Sequence, residues 1–201
     1  MTWTRSLPAC RSPTSSTGRV CLCALLAVIL CAAVWHADLS MCGDDAEYIR
    51  YARELTGTKT GYDWQASRYP LGFPVLLTLT DRWGIEADKL WAALSYVGLV
   101  ALSVWWGGWI AGLGVLLSPI CLWMSGQVMA DLPFAFLVLL GVGWTAKGRW
   151  WPGLLVLCAS CWLKSAGLAV VVGVLAVEAW RGSGWRLVWS ALAALLIALP
   201  S

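Results

Sequence analysis

The apolar stretch VCLCALLAVILCAAV, from Val20 to Val34, carries no charge and precedes the acidic stretch GDDAEYIRYAREL, from Gly43 to Leu55. An uncharged apolar run of this kind is typical of a helix that crosses a lipid bilayer. Carboxylates placed just after such a helix are costly unless water, a basic group or a metal ion compensates their charge. Together the two stretches predict a membrane scaffold that holds an acidic group at the end of its first helix.

The rest of the chain is also strongly apolar. Of its 201 residues, 60% are hydrophobic and 12% are charged, and the mean hydropathy is +0.72. Roughly a quarter of the residues are charged in an ordinary soluble domain, so that class is excluded. The net charge of +3 is scattered, which gives no support for nucleic acid as a partner. Repeated uncharged runs predict an all-α fold, a polytopic helical membrane protein with about six or seven spans and membrane lipid as its partner.

The basic residues predict which side of the membrane each end faces. Arg5, Arg11 and Arg19 precede the first span, so the positive-inside rule places the N-terminus in the cytoplasm and Asp44 outside. Residues 1–18 are predicted to form a disordered cytoplasmic tail, and residues 19–201 a single transmembrane domain. A cleaved signal peptide within residues 1–40 is the alternative, although Trp35, His36 and Ala37 would make a poor cleavage site.

The predicted spans run alternately outward and inward after an outer loop of about residues 39–88. Gly107 and Gly108 predict a tight turn between two of the spans, and Pro119 predicts a kink. The spans lie at about residues 19–35, 90–106, 110–124, 132–145, 151–162, 166–180 and 185–199.

Two short juxtamembrane helices are predicted in the outer loop. The first covers about residues 45–56, with Asp44 as N-cap, Glu47 completing a capping box and Gly57 at the C-terminal cap. Its tyrosine-containing face fits a membrane surface. The second lies within residues 69–80, whose apolar core of about ten residues is short of the roughly twenty that a span needs. If this segment crossed the membrane, every later helix would be inverted and Lys147 and Arg149 would lie outside. The positive-inside rule therefore favours a surface helix over a span.

The charged residues near these helix ends resemble motifs of the GT-C membrane glycosyltransferases. Asp44-Asp45-Ala46-x-Tyr48, followed by Ala52-Arg53, is similar to the first-loop motif of the branch that contains lipid A aminoarabinose transferase and the protein O-mannosyltransferases. The segment from Tyr69 to Pro74 is similar to their proline-containing juxtamembrane helix. Arg68-Tyr69 stands where that family usually has a lysine or histidine before the proline.

Two later segments extend the resemblance, which covers about residues 20–180. Asp131, in Met129-Ala130-Asp131-Leu132-Pro133, is similar to the acidic residue of the second outer loop in that family. Leu163-Lys164-Ser165-Ala166-Gly167 resembles its Thr-Lys-Gly-type segment. The resemblance implies the N-terminal part of a longer enzyme, truncated at its C-terminus and located in the bacterial inner membrane.

The resemblance also implies a reaction and roles for these residues. Enzymes of this family transfer a sugar from a polyprenyl-phosphate donor to an acceptor on the extracytoplasmic face. Asp44 matches the catalytic aspartate, a suitable general base for the acceptor hydroxyl, and Asp45 is the second catalytic candidate. The remaining candidates bind substrate: Glu47 and Asp131 position the acceptor, Arg68 and Lys164 lie beside the lipid phosphate, and Tyr48 and Tyr69 are further substrate-binding residues. Asp44 and Asp131 are also candidate ligands of a divalent metal ion.

Simpler interpretations of the same residues remain open. Asp44 and Asp131 are also suited to be helix N-caps, and Lys164 to be an interfacial lysine that extends its ammonium into the headgroups. Tyr48 and Tyr69 have the character of interfacial anchors. At the level of function, the alternatives are a transporter or channel subunit and a non-enzymatic membrane protein. Transporters tend to carry charges near mid-membrane, whereas the charges here are predicted at helix ends.

Overall fold

The computed structural model describes residues 13–35, 43–58, 61, 69–181 and 188. All regular structure in these residues is helical, which confirms the predicted all-α class. The α-helices are α1 (Pro13–Val34), α2 (Asp44–Leu55), α3 (Gly72–Leu77), α4 (Ile85–Leu116), α5 (Pro119–Ser125), α6 (Asp131–Ala146), α7 (Trp150–Leu163) and α8 (Gly167–Trp180), with a 3₁₀ turn at Asp81–Trp83. Most of the predicted tail and of the seventh span, together with Arg68, lie outside the described residues.

The predicted boundary of the tail needs a correction, because α1 begins at Pro13 and not at Arg19. Proline is favoured at the first position of a helix, where its missing N–H would have no intrahelical partner in any case. Residues 13–18 therefore belong to the first helix and not to a disordered tail.

Two helices are long and apolar enough to cross a membrane: residues Thr17–Val34 of α1, and α4. The helices α6, α7 and α8 are apolar but shorter, with 16, 14 and 14 residues. A span perpendicular to the bilayer needs about twenty residues. Two candidate spans support association with a membrane, while the larger number of spans stays a prediction.

The chain reverses direction inside α4, at Gly108. Its φ of 81° and ψ of −177° are non-helical and lie in a region open almost only to glycine. The hydroxyl of Tyr96 donates to the carbonyl of Leu116 at 2.6 Å, although a straight helix would place these residues about 30 Å apart. Therefore α4 is a hairpin with two antiparallel arms, 85–107 and 109–116, as the glycine pair predicts.

The segment after this hairpin is broken at Ser118. The hydroxyl of Ser118 accepts from the N–H of Cys121 at 3.4 Å and caps α5, whose first residue is Pro119. Proline has no N–H to continue the preceding helical ladder. The predicted kink is thus confirmed as a full break between two helical segments.

Antiparallel packing of the helices gives the molecule two ends. The helices α6 and α7 pack along each other, and α4 packs between α1 and α6. One end carries α2, α3, segment 126–130, Asp131 and Lys164, and is called here the Asp44 end. The opposite end carries the turn at Gly108 and loop 147–149, whose Lys147 lies over Trp106, and is called the Lys147 end.

The two short helices at the Asp44 end pack against protein. The helix α3 has six residues, so it does not span a membrane, as predicted, but Phe73 and Leu77 are fully buried. On α2, Tyr48 and Ala52 are also buried. The apolar face of α2 was predicted to lie on a membrane surface, and that prediction is wrong because this face packs against α3, segment 126–130 and the end of α7. The location of α3 at a membrane surface stays a prediction.

Candidate functional site

Asp44 is the first residue of α2, and its carboxylate accepts a hydrogen bond from the hydroxyl of Tyr69 at 2.7 Å. The predicted N-cap role of Asp44 is wrong, because Gly43 occupies that position with a left-handed φ of 80° and no side-chain cap. The Asp44 side chain is therefore directed across to the segment before α3. Its location in the first turn is favourable for a negative charge, since helix N-termini carry partial positive charge.

The opposite end of α2 has the predicted cap. Gly57 has a φ of 87° and its N–H donates to the carbonyl of Glu54 at 3.0 Å, while the N–H of Thr58 donates to Arg53 at 2.9 Å. This pair of bonds is a Schellman motif, which satisfies the last carbonyls of a helix. The helix that presents Asp44 is thus closed at a defined point, as predicted.

Aromatic rings hold Tyr69 in position beside Asp44. The ring centroid of Tyr48 lies 4.6 Å from that of Tyr69 and 5.0 Å from that of Phe73, the latter edge to face. Such pairs add about 0.5–1.5 kcal/mol beyond the burial of their area. Because Tyr48 is only 3% exposed, its position indicates packing and not interfacial anchoring, which corrects the simpler interpretation.

Asp45 links α2 to segment 126–130. Its side chain is fully buried, and its Oδ2 accepts from the backbone N–H of Val128 at 3.1 Å. A buried carboxylate requires such donors because its desolvation is expensive. The bond places the start of α2 beside the segment that leads into Asp131, so the two acidic motifs occupy the same end of the molecule.

Asp131 and Lys164 form an ion pair with 2.6 Å between Nζ and Oδ1. The predicted N-cap role of Asp131 is wrong, since Ala130 precedes the helix and Asp131 is its first residue. Lys164 follows α7, and the antiparallel packing of α6 and α7 brings the two side chains together. The ammonium of Lys164 engages a carboxylate, and its interpretation as an interfacial lysine stays a prediction.

The remaining predicted residues lie at or near this end. Glu47 lies 3.9 Å from Arg50, and both side chains are exposed. Arg53, from the same first-loop motif, pairs with Asp81 of the 3₁₀ turn at 2.9 Å. Arg68 lies outside the described residues, so its predicted role has no geometry here.

A second polar cluster was missed by the sequence reasoning. Thr80 Oγ1 donates to Asp88 Oδ1 at 2.7 Å and accepts from Trp91 Nε1 at 3.1 Å. Asp88 is fully buried, and its Oδ2 has no partner among the described residues. The polar run Asp81 to Lys89 before an apolar helix is the signal for it, because threonine and acidic residues favour helix starts.

The carboxylates offer limited support for a metal ion. Among the described residues no three His, Cys, Asp or Glu side chains converge. Asp44 and Asp131 each already bind a partner, Tyr69 and Lys164 respectively. One or two carboxylates hold Mg²⁺ where substrate phosphates supply other ligands, so the metal remains a prediction tied to a phosphate-bearing substrate.

The Asp44 end therefore combines a partly buried carboxylate, held by a tyrosine hydroxyl, with a second carboxylate paired to an ammonium. A carboxylate of the first kind accepts a proton, and an ammonium of the second kind binds an anionic oxygen. The pairs come from four segments far apart in the sequence. No protein-family model, curated protein or solved structure matches this chain.

Proposed function

We propose that this protein is a membrane glycosyltransferase that moves a sugar from a polyprenyl-phosphate donor to an acceptor on the extracytoplasmic face. In this proposal Asp44 is the general base. As the acceptor oxygen bonds to the anomeric carbon, the bond from that carbon to the lipid phosphate oxygen breaks. The acceptor proton passes to Asp44, and the polyprenyl phosphate leaves with the bonding electrons. General-base assistance of this kind contributes about 10²–10⁴-fold to a rate.

The observation that carries the proposal is the convergence at the Asp44 end. The bond from Asp45 to Val128 and the pair Asp131–Lys164 join the first outer segment to two later ones. These are the segments whose motifs resemble those of the GT-C enzymes. If each short motif matched by chance, we would not expect the segments to lie together in the structure. Lys164 is 32% exposed, which leaves its ammonium able to reach a donor phosphate.

Burial separates the candidate residues into two roles. Asp45 and Tyr48 are buried, so we assign them to positioning α2 and Tyr69. Asp44, Asp131 and Lys164 are only partly buried and are assigned to contact with substrate, while Tyr69, also partly buried, is assigned to orienting Asp44. This assignment narrows the pair of catalytic candidates to Asp44.

The distribution of charge supports an enzyme over a transporter subunit. In the described residues of α6 and α7, the only charged side chain is Asp131, at the first position of α6. In α8 the charged Glu178 lies close to the C-terminal end. Transport pathways usually carry ionisable groups near mid-membrane, and often broken helices as well. The break at Ser118 matches the second feature, so the placement of the charges alone favours an enzyme. The proposal includes about six or seven spans in a bacterial inner membrane, with the N-terminus in the cytoplasm and Asp44 outside.

The test is sugar transfer by the purified full chain in lipid vesicles. The substrate is a radiolabelled polyprenyl-phosphate sugar, and the rates of wild type and Asp44→Asn are compared with and without Mg²⁺. Glu86→Gln is the matched control, because this carboxylate at the start of α4 accepts from the indole N–H of Trp35 and belongs to neither the Asp44–Tyr69 nor the Asp131–Lys164 pair. We expect Asp44→Asn to lose at least about 100-fold in rate and Glu86→Gln to retain activity. Equal rates for Asp44→Asn and wild type, or no transfer by wild type, would overturn the proposal.

A further inference from the structure

A cavity of about 440 Å³ opens at the Lys147 end, between the first arm of α4 and α6. It is lined by two leucines, three tryptophans and two basic residues: Leu102, Leu140, Trp105, Trp106, Trp144, Lys147 and Arg149. The helix α6 runs from Asp131 to Ala146, about 24 Å at the usual helical rise. The cavity is therefore remote from the proposed transfer site and belongs to the opposite end of the molecule.

The wall of this cavity is held in place by close packing. The ring of Trp106 lies directly against Gly143 of α6, in space that the Cβ of any other residue would occupy. The ammonium of Lys147 lies 5.2 Å from the centroid of that ring, within the range of a cation–π interaction. Because Gly143 has no side chain, the Trp106 ring packs against its backbone, and this ring interacts with the Lys147 ammonium at the cavity.

The charge of this cavity lacks a counterion within the described part of the chain. The ion pairs found there involve Arg50, Arg53, Lys164 and Arg181, and neither Lys147 nor Arg149 has one. No carboxylate lines the cavity. In those same residues, the indole N–H groups of its three tryptophans donate to no acceptor. Two cations line a space that an external anion would complement, and the tryptophans of its wall carry three further hydrogen-bond donors.

We propose that this cavity binds the phosphate headgroup of an anionic phospholipid. Tryptophan rings at the ends of apolar helices favour headgroup depth, where a lipid phosphate lies. Basic pockets between helices on the cytoplasmic side bind anionic headgroups, and the leucines that line this cavity suit the adjoining acyl chain. The inference rests on the membrane disposition in the proposed function and is independent of sugar transfer.

The test measures lipid binding by the purified full chain in a neutral detergent. Phosphatidylglycerol is titrated, and its 1:1 adduct is followed by native mass spectrometry together with the shift in Tm. Phosphatidylcholine with the same acyl chains and inorganic phosphate at the same concentration are the comparison ligands. We expect a 1:1 adduct and a rise in Tm with phosphatidylglycerol alone.

The variant Lys147→Gln/Arg149→Gln should bind phosphatidylglycerol roughly 25-fold more weakly, from about fivefold for each basic residue. The matched control is Arg50→Gln/Arg82→Gln, which removes the same charge at the Asp44 end, where Arg82 lies 4.0 Å from the Trp83 ring centroid. This control should bind like wild type.

Three outcomes would overturn the inference: equal affinities for the two double variants, equal binding of phosphatidylcholine, or the same Tm rise with inorganic phosphate. The same Tm rise with inorganic phosphate would indicate a site for a free anion. Equal affinities for the two double variants would indicate that Lys147 and Arg149 only set the orientation in the membrane. Failure of sugar transfer in the Asp44 experiment leaves these readouts unchanged, so the two proposals fail separately.

Discussion

The ammonium of Lys164 lies 2.6 Å from a carboxylate oxygen of Asp131, which joins the end of α7 to the start of α6. The two side chains are 32% and 37% exposed. Ion pairs this accessible contribute about 1 kcal/mol or less to stability. Packing of α6 on α7 does not depend on so weak a contact, and the proposed function assigns the pair to substrate.

The first prediction concerns Lys164→Gln. Its Tm should stay close to that of wild type, because the lost ion pair is partly solvated. Sugar transfer should fall by at least about tenfold, since the departing phosphate loses a nearby positive charge. Thermal unfolding and initial transfer rates measured on the same preparation check both parts.

The control for Lys164 exchanges the two charges, in the double variant Asp131→Lys/Lys164→Asp. This variant retains an ion pair between the same positions, so a merely structural pair would give wild-type activity. We expect it to be as inactive as Lys164→Gln, because the ammonium is moved from α7 to α6. Restored transfer would contradict the proposed role.

The second prediction concerns the buried carboxylate of Asp45. Asp45→Ala removes the carboxylate that accepts from the N–H of Val128. A buried donor that loses its acceptor lowers the free energy of unfolding by about 1–3 kcal/mol. Asp45→Asn retains a side-chain oxygen at the same position and should be much less affected. The Tm values of the two variants in detergent test this, and an equal decrease for both would show that the acceptor oxygen is not what matters.

The Asp45 contact also shows what a single sequence is able to predict. Sidedness placed Asp44 and Asp131 at one end, because alternating spans carry their charges to predictable ends. The bond from Asp45 to Val128 was beyond that reasoning, since it depends on how α2 lies over segment 126–130. Surface helices and buried juxtamembrane helices have the same amphipathic pattern, so the burial of α2 and α3 was likewise not predictable from periodicity.

The third prediction concerns Tyr69→Phe. Loss of the hydroxyl removes its hydrogen bond to Asp44, while the ring keeps its contact with Tyr48. We expect kcat to fall about tenfold with little change in KM, because the base is less well oriented. Tyr96→Phe is the control, since it removes a hydroxyl bonded to Leu116 in the hairpin of α4 and should lower Tm without this kinetic effect. A rise in KM alone for Tyr69→Phe would indicate substrate binding and not orientation of Asp44.

The fourth prediction concerns the turn at Gly108. Gly108→Ala places a Cβ at a φ of 81° and a ψ of −177°, which costs about 1–3 kcal/mol. Gly114→Ala is the matched control, because its new methyl meets no atom within 4 Å and alanine favours a helix. Gly108→Ala should lower the Tm and Gly114→Ala should keep or raise it. Similar Tm values for the two variants would contradict a hairpin closed by Gly108.

The hairpin of α4 was predictable from sequence because its signal is local, whereas the polar cluster around Thr80 has no local signal of this kind. A pair of glycines followed by a proline about ten residues later breaks any helical ladder, and that information is local in the sequence. The Thr80–Asp88–Trp91 cluster depends on a 3₁₀ turn and the register of a helix start. Helix boundaries are set by a few competing hydrogen bonds, so sequence patterns give them less reliably than helix interiors.

The last prediction concerns the orientation of the two ends in a membrane. Thr58, after α2, and Ala146, at the end of α6, are both exposed and lie at opposite ends of the molecule. Thr58→Cys should add one adduct of a membrane-impermeant maleimide in intact cells, and Ala146→Cys should add one only in inverted vesicles. Wild type, with its eight native cysteines, sets the background. Labelling of both new cysteines from the same side of a sealed membrane would contradict a bilayer between the two ends, and with it the assignment of Asp44 to the outer face.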